Sequence, residues 1–386
     1  MKILLISTLA HNPGDEIIRL GLEHVLGQVF PGAEFTVIHK HDPRTLFAGF
    51  KQRRRSPRRL ISPLLYFLFA STYGRGRLNH LEDADLVVFA GTPFIWRGDV
   101  RFLRFTSANA EWVPATWQRL FDEFPDKPVM NLAAGSFIHK GQRDKICADP
   151  MLTRFLEKAV RRCLLTTARD AETQDILAEL GFQIQLIPCS SILAAHGAHL
   201  TAQHPEYVVI NLMRAAGTLV RGRHGETLKW RETIEFVVPE IEKRNSVLFV
   251  SHSQNDDDVV AEWFPQHRRF FSKNPFELLK VYSKALYGLC NRVHSGGAIA
   301  SFARPVIVVG GDSRINLIKQ FGMPTVDHRE IDGPGLLAMV QHMERNYDGY
   351  VSKLREVISS AEREYISAIR NSGLVDLSSL AALGRP

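Results

Sequence analysis

Two doubly wound α/β domains, facing each other across a cleft and closed by C-terminal helices, are the architecture this sequence predicts. Three observations lead there. Short apolar runs alternate with amphipathic helical stretches along the chain, the pattern of mostly parallel sheets wrapped by helices. The alternation breaks at "AAHGAHLTAQHPE" (194–206), which is polar and contains proline. At 386 residues the chain exceeds one ordinary core and fits two domains.

In the first half, strands are expected at 2–7, 34–39, 85–91, 128–134, 164–169 and 184–188. Helices separate them, clearest at "DEIIRLGLEHVLGQVF" (15–30) and "DAETQDILAELG" (170–181). The second of these has Asp170 as its capping acid and stops at Gly181. After the break come strands at 207–213, 246–252, 285–291, 305–311 and 324–328. From Asp332 to Arg370 the chain reads as helix, ending in a long amphipathic stretch. The division is an N-terminal Rossmann-like domain over 1–200, a second over 201–345, and a helical segment over 346–386. Two such halves in succession form a glycosyltransferase-B-like (GT-B-like) pair.

Hydrophobic residues make up 45% and charged residues 23%, as in an ordinary soluble globular protein. The four cysteines (Cys147, Cys163, Cys189, Cys290) show no C-x-x-C pairing, which points to free thiols in a reducing compartment and away from a zinc site or disulfide frame. "MKILLIS" is short and runs straight into "HNPGDE", so it reads as a buried strand and not as a signal peptide. No segment approaches the ~20 apolar residues of a spanning helix, and the expected location is cytoplasmic. The net charge of +7 is local: residues 51–77 hold eight Lys or Arg and no acid, so of 48 basic residues 40 remain elsewhere against 41 acids. Nucleic-acid binding spreads cations over a face and is not expected. The cationic run adjoins an apolar stretch, Leu60 to Ala70. Together they read either as a peripheral anchor for anionic lipid at the inner membrane face or as a solvated loop before a core helix.

In doubly wound sheets, ligands gather beyond the carboxyl ends of the strands. "HNPGDE" follows the first strand; Asn12 precedes Gly14, which permits a tight turn, and Asp15, which suits a helix cap. Its amides either meet an anion or sugar hydroxyl or simply start a helix. No G-x-G-x-x-G accompanies it, so nicotinamide is not expected. "AGTPFIWRGDVRF" (90–102) offers Gly91, Thr92 and Trp96 as a sugar platform beside Arg97 and one carboxylate, Asp99, whose other reading is a helix cap. Arg214 stands at a strand end, with Arg221 and Arg223 in a glycine-rich loop beyond it; guanidinium groups suit phosphate or carboxylate. "HKHD" (39–42) is a weak metal signal, and the acids at 256–258 fit a helix start without any ion. No metal is expected.

The densest signal is "CNRVHSGGAIASFARPVIVVGG" (290–311), which sets Arg292 and His294 at a strand's carboxyl edge. The amides of Ser295, Gly296 and Gly297 are expected to point outward from a helix start as an anion site. Arg292 adds fixed charge, and His294 titrates near neutrality and can give or take a proton. The alternative for His294 is a plain hydrogen bond to a neighbouring strand.

At these residues the chain resembles the polysaccharide pyruvyl transferase family. "NPGDEIIRLGLEHVL" is similar to the family's Asn-x-Gly-Asp-Glu helix start, and "ARDAETQDILAELGF" to its arginine-plus-acid element. "NRVHSGGAIASFARPVIVVGGDSRINLIKQFGMP" resembles its Arg-x-His, alanine-rich helix and Pro-Val run, and is the strongest match. The resemblance spans most of 1–330 and implies a GT-B-like enzyme that moves the enolpyruvyl carbons of phosphoenolpyruvate onto two sugar hydroxyls as a cyclic ketal. It implies donor contacts from Arg214 and Arg292, an acid and a base in His294 and Asp99, no redox cofactor, and a glycan or lipid-linked saccharide as acceptor. Three elements depart from the family pattern: Ala90-Gly91-Thr92 for a glycine-rich strand end, Pro188-Cys189 for Pro-Asp, and Gly311-Asp312-Ser313-Arg314 for Tyr-Asp-x-Lys. They keep two alternatives open, a nucleotide-sugar-dependent GT-B glycosyltransferase and a divergent member with a changed donor or no activity, serving as a membrane-associated scaffold.

Overall fold

Runs such as "KILLIS" and "YVVIN" are apolar on both faces of the pleat, so they can sit only where helices cover both sides of a sheet. A computed structural model describes residues 1–9, 12–39, 79–91, 93–96, 115–138, 143–214 and 224–374. Among them thirteen strands form two sheets, and their pairings are parallel. The first holds β1 (Lys2–Ser7), β2 (Glu34–His39), β3 (Leu86–Ala90), β4 (Pro93–Trp96), β5 (Val129–Phe137), β6 (Leu165–Ala168) and β7 (Gln185–Leu186). Its order is β2-β1-β3-β5-β6-β7, with β4 beside β5. The second holds β8 (Tyr207–Asn211), β9 (Val247–Ser251), β10 (Arg269–Phe271), β11 (Ala285–Cys290), β12 (Val306–Gly310) and β13 (Thr325–Asp327), in the order β10-β9-β8-β11-β12-β13. In each sheet the direction of strand addition reverses once, between β1 and β3 and between β8 and β11, and such reversals open a crevice at the carboxyl ends.

Two strands were not expected from sequence. β4 begins on a proline and β10 has three residues, both too short to show periodicity. β5 also runs past its expected end at 134. At Ala133 the backbone turns left-handed (φ +53°) and the register shifts between Asn131 and Ala134, so the far half of β5 leaves β6 and pairs with β4.

Six helices matter for the site: α1 (Pro13–Val29), α2 (Ala171–Glu179), α3 (Gln254–Trp263), α4 (Pro275–Tyr282), α5 (Val293–Ala300) and α6 (Tyr347–Arg370). One core cluster takes in residues of both sheets, from Ile3 and Leu5 to Val209 and Val308, together with the buried face of α1 and Leu354, Ala361 and Tyr365 of α6. Separate clusters fill the outer faces of the two sheets. The break expected at 194–206 is no free linker where it begins. Ala194 and Ala195 are buried, Ser190 Oγ donates to Ile18 O of α1 at 2.9 Å, and Ala195 N donates to Ser301 Oγ at 3.2 Å. No described helix is long and apolar enough to cross a membrane.

Candidate active site

The crevice of the second sheet is pinned by two buried asparagines at strand ends. Asn211 donates to Val250 O at 2.8 Å and accepts from Arg292 N at 2.9 Å. Asn291 donates to Val309 O at 2.9 Å and accepts from Met213 N at 3.0 Å. Amide side chains can donate and accept at once, so each ties the β8–β11 junction to an outer strand. Arg292, fixed this way, stands at the N-cap of α5.

Helix α5 starts at Val293, three residues ahead of the expected opening glycines. Ser295 N and Gly296 N are therefore spent on Arg292 O (3.0 and 3.2 Å), and the amides left facing out of the helix start are those of Val293 and His294. Gly296 and Gly297 lie within the helix, where a Cβ would clash with Val308 and with Ser191. They permit close packing and do not cradle a ligand. Ser295 Oγ meets His252 Nε2 at 3.1 Å, and His252 Nε2 meets Tyr282 Oη of α4 at 2.6 Å.

The first sheet approaches from the other side. Asn12 is the N-cap of α1, accepting from Gly14 N at 3.1 Å, while its amide donates to Asp15 Oδ1 at 3.2 Å. The cap thus belongs to Asn12, not Asp15, because Pro13 occupies the first helical position. A Cβ on Gly14 would stand 2.8 Å from His294 Cγ and closer to Nδ1, so the imidazole lies directly on the start of α1. Nearby, Ile138 N donates to Ser313 Oγ and Ser313 N to Ile138 O, both at 3.3 Å, joining the end of β5 to the turn after β12.

Arg169, at the end of β6, is 1% exposed. The one hydrogen bond its side chain makes with a described residue runs from Nη1 to Gly91 O at 2.6 Å, and no described carboxylate lies within ion-pair distance. Its neighbour Asp170 turns away, accepting from Ser136 N and Oγ (3.0 Å each) and from Thr173 N and Oγ1 (2.8 Å each). Room for the guanidinium comes from Gly135, where a Cβ would fall 2.6 Å from Arg169 Cζ. An unpaired buried cation is costly to keep in a fold. Arg314 lies over the Phe137 ring at 4.5 Å and pairs with Asp312 at 2.7 Å. Arg292 grips Asp256 through Nε (2.6 Å) and Nη2 (3.0 Å).

These cations converge on His294, which is half-buried. Burial first, then the charges of Arg169, Arg314 and Arg292, hold its pKa well below the ordinary imidazole value, so it is neutral at pH 7. Burial and Arg292 do the same to His252. Both rings stay neutral when folded but take up protons near pH 6.5 when unfolded. The unfolded chain thus binds more protons below that pH, and stability is present in full above pH 6.5 and falls as the pH drops beneath it. Urea midpoints measured from pH 7.5 to 5.5 are expected to decline, and His252→Gln to flatten that decline.

Of the other residues singled out from sequence, Gly91 (φ +67°) supports the site through its carbonyl bond to Arg169. Arg214 is not among the cations around His294. It is half-exposed, lies over Trp263 at 5.9 Å and is fully engaged by Glu262 near the end of α3. The acids at 256–258 lie in the first turn of α3, where Asp256 also serves as counter-ion to Arg292. Thr92, Arg97, Asp99, Arg221, Arg223 and residues 51–77 lie outside the described residues, as do the "HKHD" positions beyond His39; Trp96 is placed by its backbone in β4. Sequence reasoning missed Arg169, Arg314, Asn211, Asn291 and His252 as parts of the site. Polar residues closing apolar strands were the available signal.

Two Rossmann-like sheets meeting carboxyl end to carboxyl end over this cationic centre define a GT-B-type α/β protein. Among solved structures, a UDP-GlcNAc 2-epimerase from Neisseria meningitidis bound to UDP-GlcNAc matches with a TM-score of 0.54 and 11% identity, covering 96% of this chain and 100% of that one. S. aureus MnaA with UDP matches with a TM-score of 0.57 and 11% identity, covering 100% and 98%. At such identity the likeness is one of fold. No curated protein matches in sequence. The chain belongs to the polysaccharide pyruvyl transferase family, whose model matches residues 12–313.

Proposed function

We propose that the protein transfers the enolpyruvyl carbons of phosphoenolpyruvate to two hydroxyls of a glycan or lipid-linked sugar, forming a cyclic ketal and releasing phosphate. The observation that carries this reading is the place of His294, at the open start of α5, against Gly14 of α1 and near Arg169, Arg292 and Arg314. Phosphoenolpyruvate bears a carboxylate and a phosphate on one carbon framework. Arg292, Arg314 and the amides of Val293 and His294 are the groups to meet them, with Arg169 adding positive potential from beneath. In this reading Arg314 takes the donor contact that the sequence suggested for Arg214, which pairs with Glu262.

Arg292 and Arg314 have Asp256 and Asp312 beside them, while Arg169 has no described carboxylate, and donor binding adds negative charge to this cationic excess. It offsets the cations, raises the proton affinity of His294 and loads the imidazole with a proton. That proton goes to the vinyl carbon, and the central carbon, made electrophilic, takes a sugar hydroxyl whose proton passes to Asp99. Phosphate leaves with the proton held by Asp99, and the second hydroxyl closes the ring as its proton returns to His294. A lipid-linked acceptor accounts for residues 51–77 as a contact with anionic membrane.

Calorimetry of phosphoenolpyruvate binding in buffers of different ionisation heat tests the reading. About one proton per chain is taken up at neutral pH, and none in His294→Gln. Phosphate release with candidate acceptors then identifies the acceptor. Saturable binding of UDP or GDP with none of phosphoenolpyruvate would assign the crevice to a nucleotide-sugar donor. Binding of neither, with retained sedimentation on anionic vesicles, would make the chain a membrane scaffold.

A further inference from the structure

Away from this crevice, three metal-ligating side chains from distant parts of the chain meet on one seam. His24 projects from α1, His196 from the short helix Ala194–Gly197 between the two sheets, and Glu362 from α6. One ligand atom of each lies within 4.8 Å of the other two. His24 Nε2 already meets Glu362 Oε1 at 2.5 Å, and the two imidazoles are tilted against each other with centroids 5.2 Å apart. His196 is exposed, and its ring makes no hydrogen bond to a described residue, which leaves a ring lone pair for an ion. The charges that bear on that ring are those of His24 and Glu362.

We propose that His24, His196 and Glu362 form a binding site for a borderline divalent transition-metal ion such as Zn2+, with its fourth position open to solvent. Two imidazole nitrogens and one carboxylate oxygen are a donor set that zinc takes, at metal–ligand distances of about 2.0–2.2 Å and hence ligand separations of about 3.4 Å in a tetrahedron. Reaching that arrangement needs only shifts of about 1 Å: the His24–Glu362 contact opens and the His196 ring closes in. The hydrogen bond seen without metal is the one an ion would replace. Because the ligands come from the first sheet's central helix, the segment joining the sheets and the last long helix, a bound ion staples all three. The site braces the inter-sheet connection and takes no part in the chemistry at His294.

The test uses the full-length protein, stripped of metal with a chelator and titrated with Zn2+ by calorimetry at neutral pH, with thermal unfolding and the visible absorption of bound Co2+ as second readouts. The expected result is one saturable Zn2+ per chain, a higher Tm with Zn2+, and a tetrahedral Co2+ spectrum. His196→Ala, at an exposed position that leaves the fold intact, weakens Zn2+ binding at least about tenfold, since even supporting groups contribute that much, and removes the Tm response. Glu362→Gln does the same. No saturable binding to the wild type, or equal affinity in His196→Ala, overturns the proposal.

Discussion

Replacing Arg169 by methionine is expected to lower kcat/KM for phosphoenolpyruvate about 100-fold, the scale seen when one preorganised electrostatic partner of a reaction is removed, while resistance to urea stays level or rises. Arg169 is buried, has no described carboxylate partner, and is the foremost of the charges acting on His294. A cation kept inside a protein without a counter-ion does not stabilise the fold, and an apolar side chain of similar length fills the space at no electrostatic cost. Stability and activity therefore part company at this position. The variant should also let the His294 pKa move back toward the ordinary imidazole value, visible as a shifted titration by NMR. If turnover and stability fell together, Arg169 would be a structural residue.

Gly14→Ala is expected to cost about 100-fold in turnover, the penalty of displacing a reacting group by about 1 Å. Near the start of a helix this substitution ordinarily stabilises. Here the new methyl would fall within 3 Å of three atoms of His294, including its Cβ, so the ring must move or the two lobes must part. Gly27→Ala is the control: it lies in the same helix, a Cβ there meets nothing within 4 Å, and it should stabilise by about 0.5–1 kcal/mol with activity intact. Equal activity in Gly14→Ala and Gly27→Ala would mean that the close approach of α1 to His294 is not used.

The two-sheet architecture was legible because strands buried on both faces must be written as continuous apolar runs, as β1, β3, β5, β8, β9 and β12 are. β4 and β10 escaped because their pairing is set by neighbours, β5 bending at Ala133 in one case and an edge position in the other. At the site, Arg292 and His294 were legible as the close of β11, a place where ligands gather whatever the protein does. Which amides stay free was not, since that turns on where α5 begins: the glycines that resemble an anion loop are packing residues. Arg214 and Arg169 show the same limit in opposite directions. Arg214 stands at a strand end, but Glu262, far off in sequence, claims its charge. Arg169 sits beside an aspartate in the chain, yet Asp170 spends its carboxylate on Ser136 and Thr173. The departure to Cys189 fits this picture, because it places a buried thiol, its pKa raised by desolvation, near Arg169 where the family pattern has a carboxylate.

A crystal structure of the protein with phosphoenolpyruvate shows whether one small donor with two anionic groups is gripped where the two sheets meet. The expected result is the donor's phosphate or carboxylate on Arg292 and the amides of Val293 and His294, with the imidazole against the vinyl carbon. A donor bound elsewhere, or a saturated crystal with the crevice at Arg292 unvisited, would contradict it.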